Sequence, residues 1–177
     1  MSDTAWLYEL IRDVADFPTP GVHFKDITPL LRDPDGFRFA VDALADRFAG
    51  VPVDRVIGME ARGFILAAPV AYRLGASFIP VRKAGKLPWA VAREEYALEY
   101  GTDKLEIHRD AISPGDRVLI IDDVLATGGT AEATVRLIEG LDGVVVGLGF
   151  LIELAFLNGR ARLGKHEAAS LLSYQDG

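Results

Sequence analysis

Asp122 and Asp123 stand side by side behind an aliphatic run, Val118-Leu119-Ile120-Ile121, and a short turn-forming stretch, Ala126-Thr127-Gly128-Gly129-Thr130, follows them. Two adjacent carboxylates accept hydrogen bonds from hydroxyl groups or ligate a hard cation. The Thr/Gly stretch leads into a helical pattern (Ala133, Leu137, Ile138), and the first N–H groups of a helix lack internal partners, so this junction can cradle a phosphate. No Lys follows the glycines and their spacing is not G-x-G-x-x-G, so neither a P-loop nor a dinucleotide fingerprint fits. A bare phosphate would be repelled by the two acids. A sugar phosphate meets both demands, with its phosphate on the N–H groups and threonine hydroxyls and its sugar hydroxyls donating to the carboxylates. Helix capping alone would need one Asp or Thr, not two acids, two glycines and two threonines.

Residues 118–121, bounded by Gly115-Asp116-Arg117 and by the two acids, suit a strand buried on both faces of a parallel sheet, with the chemistry at its carboxyl end. The same strand, turn, helix order recurs at residues 55–59, at the turn Glu60-Ala61-Arg62-Gly63 and at residues 64–74. Residues 77–81 and 143–148 read as further strands. This alternation predicts an α/β fold, a doubly wound, mainly parallel sheet with helices on both faces. The Gly147-Leu148-Gly149 pair lacks a third glycine at Ile152 and is read as close strand packing. Upstream, Trp6, Leu7, Leu10, Ile11 and Val14 predict an amphipathic helix over residues 4–14. Asp33-Pro34 starts a second helix carried to Gly50 by Phe37, Val41, Leu44, Ala45 and Phe48. Residues 17–29 hold Pro18, Pro20, Pro29 and Gly21 and read as a stiff, irregular loop. Phe24 within it is a hydrophobic anchor for that loop or a wall for a planar ligand.

With 177 residues, half of them apolar, one domain is expected over the whole chain. Residues 1–33 form its N-terminal hood and residues 82–108 a flexible loop and hairpin. A formal charge of −7 and a pI near 4.9 argue against nucleic acid as partner. The lack of cysteine excludes disulfides and thiolate chemistry and fits a cytoplasmic location. No signal-peptide pattern or membrane-length run is present, so no membrane partner is expected. Residues 82–93 nonetheless carry four cations (Arg82, Lys83, Lys86, Arg93) and no acid, with Gly85 and Pro88 among them. Such an irregular basic segment is a solvated surface or a lid that closes on an anion. Tyr96-Ala97-Leu98-Glu99-Tyr100 and Lys104-Leu105-Glu106-Ile107 alternate around Gly101-Thr102-Asp103 as a hairpin.

The acid-and-threonine stretch resembles the signature of type I phosphoribosyltransferases. Together with residues 17–26, 58–64, 82–88 and the Tyr-Ala-Leu-Glu-Tyr-Gly hairpin, the chain resembles the adenine phosphoribosyltransferase family over nearly its whole length. The resemblance implies purine salvage, with adenine and 5-phosphoribosyl 1-pyrophosphate giving AMP and pyrophosphate. It implies that Ala126, Thr127, Gly128, Gly129 and Thr130 hold the 5′-phosphate and that Asp122 and Asp123 take the ribose hydroxyls. Arg62 and Ala61 would bind pyrophosphate, joined by Arg82, Lys83 and Lys86. Phe24 would stack on the purine, between His23 and Lys25, whose main chain would read its edge. Glu99 would be the general acid/base at the purine ring, with Tyr100 beside it. Mg²⁺ would be carried mainly by the substrate pyrophosphate, with no dedicated metal ligands in the chain, and the protein would be a homodimer. His23 and Ala61 stand where an apolar residue and serine also occur in the family, and Ala90-Val91-Ala92 is less polar than usual. Two alternatives are a transferase for a 6-oxopurine or orotate and a non-catalytic sensor of phosphoribosyl pyrophosphate that regulates transcription.

Overall fold

The computed structural model describes residues 4–97 and 102–176. The first turn is a 3-10 segment, Ala5–Leu10, followed by strand β1 (Arg12–Val14), which pairs antiparallel with β2 (Phe24–Asp26). The helix expected over residues 4–14 is therefore not formed. Thr4 makes no side-chain cap and Ile11 is already extended, so the apolar spacing is satisfied by burying Leu7 while the chain turns into a pairing with residues a dozen positions away. The irregular loop expected over residues 17–29 likewise ends in β2 and the one-turn helix α1 (Thr28–Arg32).

Helix α2 (Pro34–Asp46) begins as expected: the Asp33 carboxylate accepts from the N–H of Asp35 at 3.1 Å and of Gly36 at 2.7 Å. It stops short of Gly50 because the chain turns to bury Phe48 against the sheet. Gly147 and Gly149 make room for that ring: a Cβ on either would come within 2.6 Å and 3.1 Å of it. Close packing is thus the role of this glycine pair.

The main sheet holds β3 (Arg55–Met59), β4 (Ser77–Lys83), β5 (Val91–Ala97), β6 (Thr102–His108), β7 (Arg117–Leu125), β8 (Val144–Leu154) and β9 (Ala168–Tyr174) in the order β5-β6-β4-β3-β7-β8-β9. From β4 to β9 the pairs are parallel, and the β5–β6 hairpin adds an antiparallel edge. Helix α3 (Gly63–Leu74) links β3 to β4, and α4 (Gly129–Glu139) links β7 to β8. Side chains of β7 alternate between two cores: Leu119 and Ile121 pack with α2 and α3, and Val118 and Ile120 with α4 and the hairpin. Full burial of aliphatics this size stabilises by about 1.5–3 kcal/mol each, which fixes the register of β7 and so the height at which its acids emerge.

Two further differences bear on the site. Strand β7 does not end at Ile121 but runs through both acids to Leu125, because β8 continues beside it to pair with Asp122, Val124 and Leu125. On its other side, pairing with β3 ends at Gly58 and Ile121. The basic segment is irregular only over residues 84–90, since Arg82 and Lys83 belong to β4 and Arg93 to β5.

Candidate active site

Strand order reverses at β3 and β7: β4 lies to one side of the pair, β8 and β9 to the other. At such a switch point the carboxyl ends of neighbouring strands diverge and leave a crevice. Here it is a cleft of about 400 Å³. Its floor is Asp122 and Asp123, open on the side where β3 has ended. One wall is Glu60-Ala61-Arg62, the turn after β3, with a cis Glu60–Ala61 peptide. Val22, His23, Phe24 and Lys25 line it as well, Phe24 directly under Arg62, and Leu154 and Leu157 add apolar lining. A smaller hollow of about 80 Å³ adjoins it over residues 126–130, at the start of α4. There Gly128 has φ +82°, a conformation that favours glycine.

Arg62 is central. Its Nε lies 2.8 Å from Asp123 Oδ2, and its guanidinium covers the Phe24 ring at 4.8 Å from the centroid. The edge of that ring packs against Phe17, centroids 5.1 Å apart. Phe24 is thus both anchored and part of the cleft wall, so the two sequence readings are compatible. Asp122 sits against the first turn of α3, where a Cβ on Gly63 would come within 2.5 Å of its Oδ1. Burial, and next the charge of Asp123, push the Asp122 carboxyl well above its ordinary range. Two acids held this close favour hydroxyl donors or a cation between them.

The cations divide. Lys86 Nζ lies 3.0 Å and Arg82 Nε 3.4 Å from the Glu60 carboxylate, which also accepts from the Lys83 N–H at 2.9 Å. Burial of Glu60 works against its charge, but the Lys83 N–H and the Lys86 ammonium outweigh it and hold the carboxyl below its usual range. The Lys83 ammonium turns aside to Asp103 at 3.2 Å. The side chains of His23 and Lys25 also turn aside, to Asp13 at 3.2 Å and 3.0 Å, and Lys25 is buried over the Tyr174 ring. Lys25 therefore offers the cleft its main chain rather than its charge. Strand β2, paired on one edge only, leaves alternate backbone groups available there.

Glu99 and Tyr100, with Leu98 and Gly101 of the expected hairpin, lie outside the described residues. Sequence reasoning did not single out Glu60, Val22, Val124, Leu154 or Leu157 as site residues. The strand-end rule that found Asp122 could have found Leu154, at the end of β8, and Glu60, just beyond β3.

Fold and cleft define a class: an α/β protein whose sheet opens at its switch point into a cleft lined by two adjacent acids and adjoining the glycine-rich start of α4. The family model of the phosphoribosyl transferase domain matches residues 38–169. The chain is 58% identical over 168 residues to the adenine phosphoribosyltransferase of Solibacter usitatus, covering 95% of this chain and 97% of that protein. The crystal structure of adenine phosphoribosyltransferase from Thermoanaerobacter pseudethanolicus matches with a TM-score of 0.95 at 48% identity, over 97% of this chain and 99% of that one. That of Saccharomyces cerevisiae, solved with an imino-altritol bisphosphate and adenine, matches with a TM-score of 0.90 at 39% identity, over 96% and 98%. The chain belongs to the adenine phosphoribosyltransferase family. The family's reaction forms AMP from adenine and 5-phosphoribosyl 1-pyrophosphate in purine salvage, which sets aside the orotate, 6-oxopurine and sensor alternatives.

Proposed function

We propose that the cleft between β3 and β7 carries out this reaction with a division of labour along its length. The N–H groups and hydroxyls of Ala126, Thr127, Gly128, Gly129 and Thr130 hold the 5′-phosphate, and Asp122 and Asp123 accept from the ribose hydroxyls. The ribose hydroxyls relieve the unfavourable proximity of the two carboxylates. Arg62 and the Ala61 main chain bind the pyrophosphate, with Arg82, Lys83 and Lys86 added as the basic segment moves over it. Phe24 stacks on adenine and the main chain of His23 and Lys25 reads its edge. N9 of adenine attacks C1′, the C1′–O bond breaks with its electron pair leaving on pyrophosphate, and Glu99 handles the proton at the purine ring, beside Tyr100.

Among the described residues no group of three or more His, Asp or Glu is disposed to hold a metal ion. Mg²⁺ keeps several waters and is commonly bound through substrate phosphates, so it would be carried mainly by the substrate pyrophosphate, with Asp122 and Asp123 taking the ribose hydroxyls. Bound there, Mg²⁺ would neutralise charge on the leaving pyrophosphate. We assign the protein as a homodimer in the cytoplasm. The support is α3, which carries Ile65, Ala68 and Tyr72 outward at helical spacing, Tyr72 at 90% exposure, and begins at the cleft wall. No helix among the described residues is long and apolar enough to cross a membrane.

The observation that carries the residue assignment is Arg62, which touches Asp123 and Phe24 and so joins the proposed ribose and base subsites. Base choice tests it. Adenine offers an acceptor at N1 and a donor at N6, whereas hypoxanthine and guanine reverse the pattern and leave two backbone groups unpaired. At about 1–3 kcal/mol each, kcat/KM should favour adenine by roughly 30-fold to 10⁴-fold. His23→Val should keep that preference and Phe24→Ala should weaken adenine binding. Equal kcat/KM for adenine and hypoxanthine in the parent would overturn the reading.

A further inference from the structure

The turn over residues 126–130 does not stand free; a second backbone lies directly beneath it. After β8 the chain makes two 3-10 segments, Ala155–Leu157 and Gly159–Leu163, joined through Asn158 at φ 52°. Gly159 is buried between exposed neighbours Asn158 and Arg160. A Cβ on Gly159 would lie 2.1 Å from the Ala126 carbonyl oxygen and 2.8 Å from the Gly128 nitrogen, and a Cβ on Gly128 would lie 2.4 Å from the Gly159 carbonyl oxygen. Main chain packs on main chain, with no flexible side chain between to absorb a change.

The lower strand of this contact is itself fixed from two sides. Arg160 donates through Nε to Glu153 Oε1 at 2.9 Å and through Nη2 to Oε2, and its Nη1 donates to the Ala168 carbonyl. Ser170 Oγ completes the carboxylate at 2.9 Å, so the end of β8, the start of β9 and the 3-10 segment are joined by one guanidinium. On the other side Leu163 is buried in the α4 core, and Arg162 reaches Glu132 of α4 at 3.7 Å. The segment thus ties the ends of β8 and β9 to α4, the helix that the turn opens.

We infer that residues 158–160 form a rigid support for the sugar-phosphate turn, with Gly159 and Arg160 as positioning residues that set where its N–H groups point. This rests on the reading of residues 126–130 as the 5′-phosphate site. Arg160 and Glu153 touch no substrate in this account. Their effect is on the backbone that does, and it should fall on the phosphate-bearing substrate rather than on adenine.

The test compares the parent protein with Gly159→Ala, Arg160→Lys, Thr127→Val and Leu44→Ala. Ribose 5-phosphate binding by calorimetry, KM for each substrate, kcat and Tm are measured on each. A misplacement of about 1 Å can cost as much as 10²-fold, so folded Gly159→Ala should bind ribose 5-phosphate about tenfold or more weakly and raise KM for phosphoribosyl pyrophosphate by a similar factor. KM for adenine should stay within about threefold. Arg160→Lys keeps the charge but loses the fork, and should shift the same two quantities in the same direction by a smaller factor. It carries the test if Gly159→Ala does not fold. Leu44→Ala, in the opposite core, should lower Tm without raising KM for phosphoribosyl pyrophosphate. Parent-like ribose 5-phosphate affinity in folded Gly159→Ala and in Arg160→Lys, with Thr127→Val weakened, would overturn the support while leaving the phosphate site standing. Parent-like affinity in Thr127→Val would overturn the phosphate site and the support with it. The same KM rise in Leu44→Ala would show general destabilisation and also overturn the support.

Discussion

Asp122 is where stability and function pull apart most visibly. Burial and the neighbouring Asp123 raise its folded-state pKa, so the stability linked to its proton is full below the ordinary carboxylate range and is lost as pH rises through the raised value. Asp122→Asn removes that loss while its amide oxygen can still accept the Asp123 N–H, which the parent carboxylate accepts at 2.9 Å. The variant should melt higher than the parent at pH 8, by about 2–4 °C for each kcal/mol relieved, and the gain should shrink at pH 4. It should also lose hydroxyl bonding to a charged acceptor, worth about 1.5–3 kcal/mol, or roughly 10- to 150-fold in kcat/KM for phosphoribosyl pyrophosphate. Paired melting curves and kinetics check both halves; a lower Tm at pH 8 would contradict the electrostatic account. The place of Asp122 in the cleft was legible in the sequence because two adjacent acids at a strand end need a reason. The place of Glu60 was not, because a single acid in a turn looks like any other until Lys86 and Arg82 are seen to converge on it.

Among the elements, the basic segment gains a more specific expectation from its backbone. Lys83 lies within β4 and Arg93 within β5, each with its backbone in a strand, whereas Lys86 lies in the irregular stretch. Trypsin should therefore cut the free protein after Lys86 before it cuts after Arg93, and Mg²⁺ with phosphoribosyl pyrophosphate should protect that bond. Equal cleavage with and without the ligand, followed by mass spectrometry, would show that the segment does not close. At the other end of the domain, Asp33→Ala removes the α2 cap and should cost about 0.5–2 kcal/mol by chemical denaturation with little change in kcat. Elements carried by local pattern were legible: β3 in full, the Asp33 cap and the aliphatic part of β7; of the expected hairpin the arm over residues 104–107 falls in β6, whereas β5 begins earlier, at Val91, and Thr102 and Asp103, expected in the turn, belong to β6. Elements made by partners distant in sequence were not. Strand β1 exists because β2 lies beside it, β7 runs past its acids because β8 does, and β9, with small residues such as Ala168, Ala169 and Ser170, has little pattern of its own. The close contact of Gly159 with the 126–130 turn is invisible to any reading of spacing, since the two stretches meet only after α4 and β8 are in place.

For the whole molecule, the strand order makes the crevice, and the outer face of α3, which starts at its wall, extends the account to a second subunit. The parent should behave as a particle of about twice its 19.2 kDa mass in light scattering, and Tyr72→Asp with Ile65→Lys should shift it toward a monomer. A monomeric parent would contradict the dimer. The central claim is that phosphoribosyl pyrophosphate and adenine meet in the cleft between β3 and β7, across Arg62. The most direct measurement is kcat/KM for pyrophosphate release with adenine in the parent and in Arg62→Ala, with Tm confirming the fold. Loss of this cation leaves Asp123 and the pyrophosphate without their partner, a truncation that costs about 2–5 kcal/mol, so kcat/KM should fall roughly 30-fold or more. A folded Arg62→Ala variant with kcat/KM within about threefold of the parent would contradict the account.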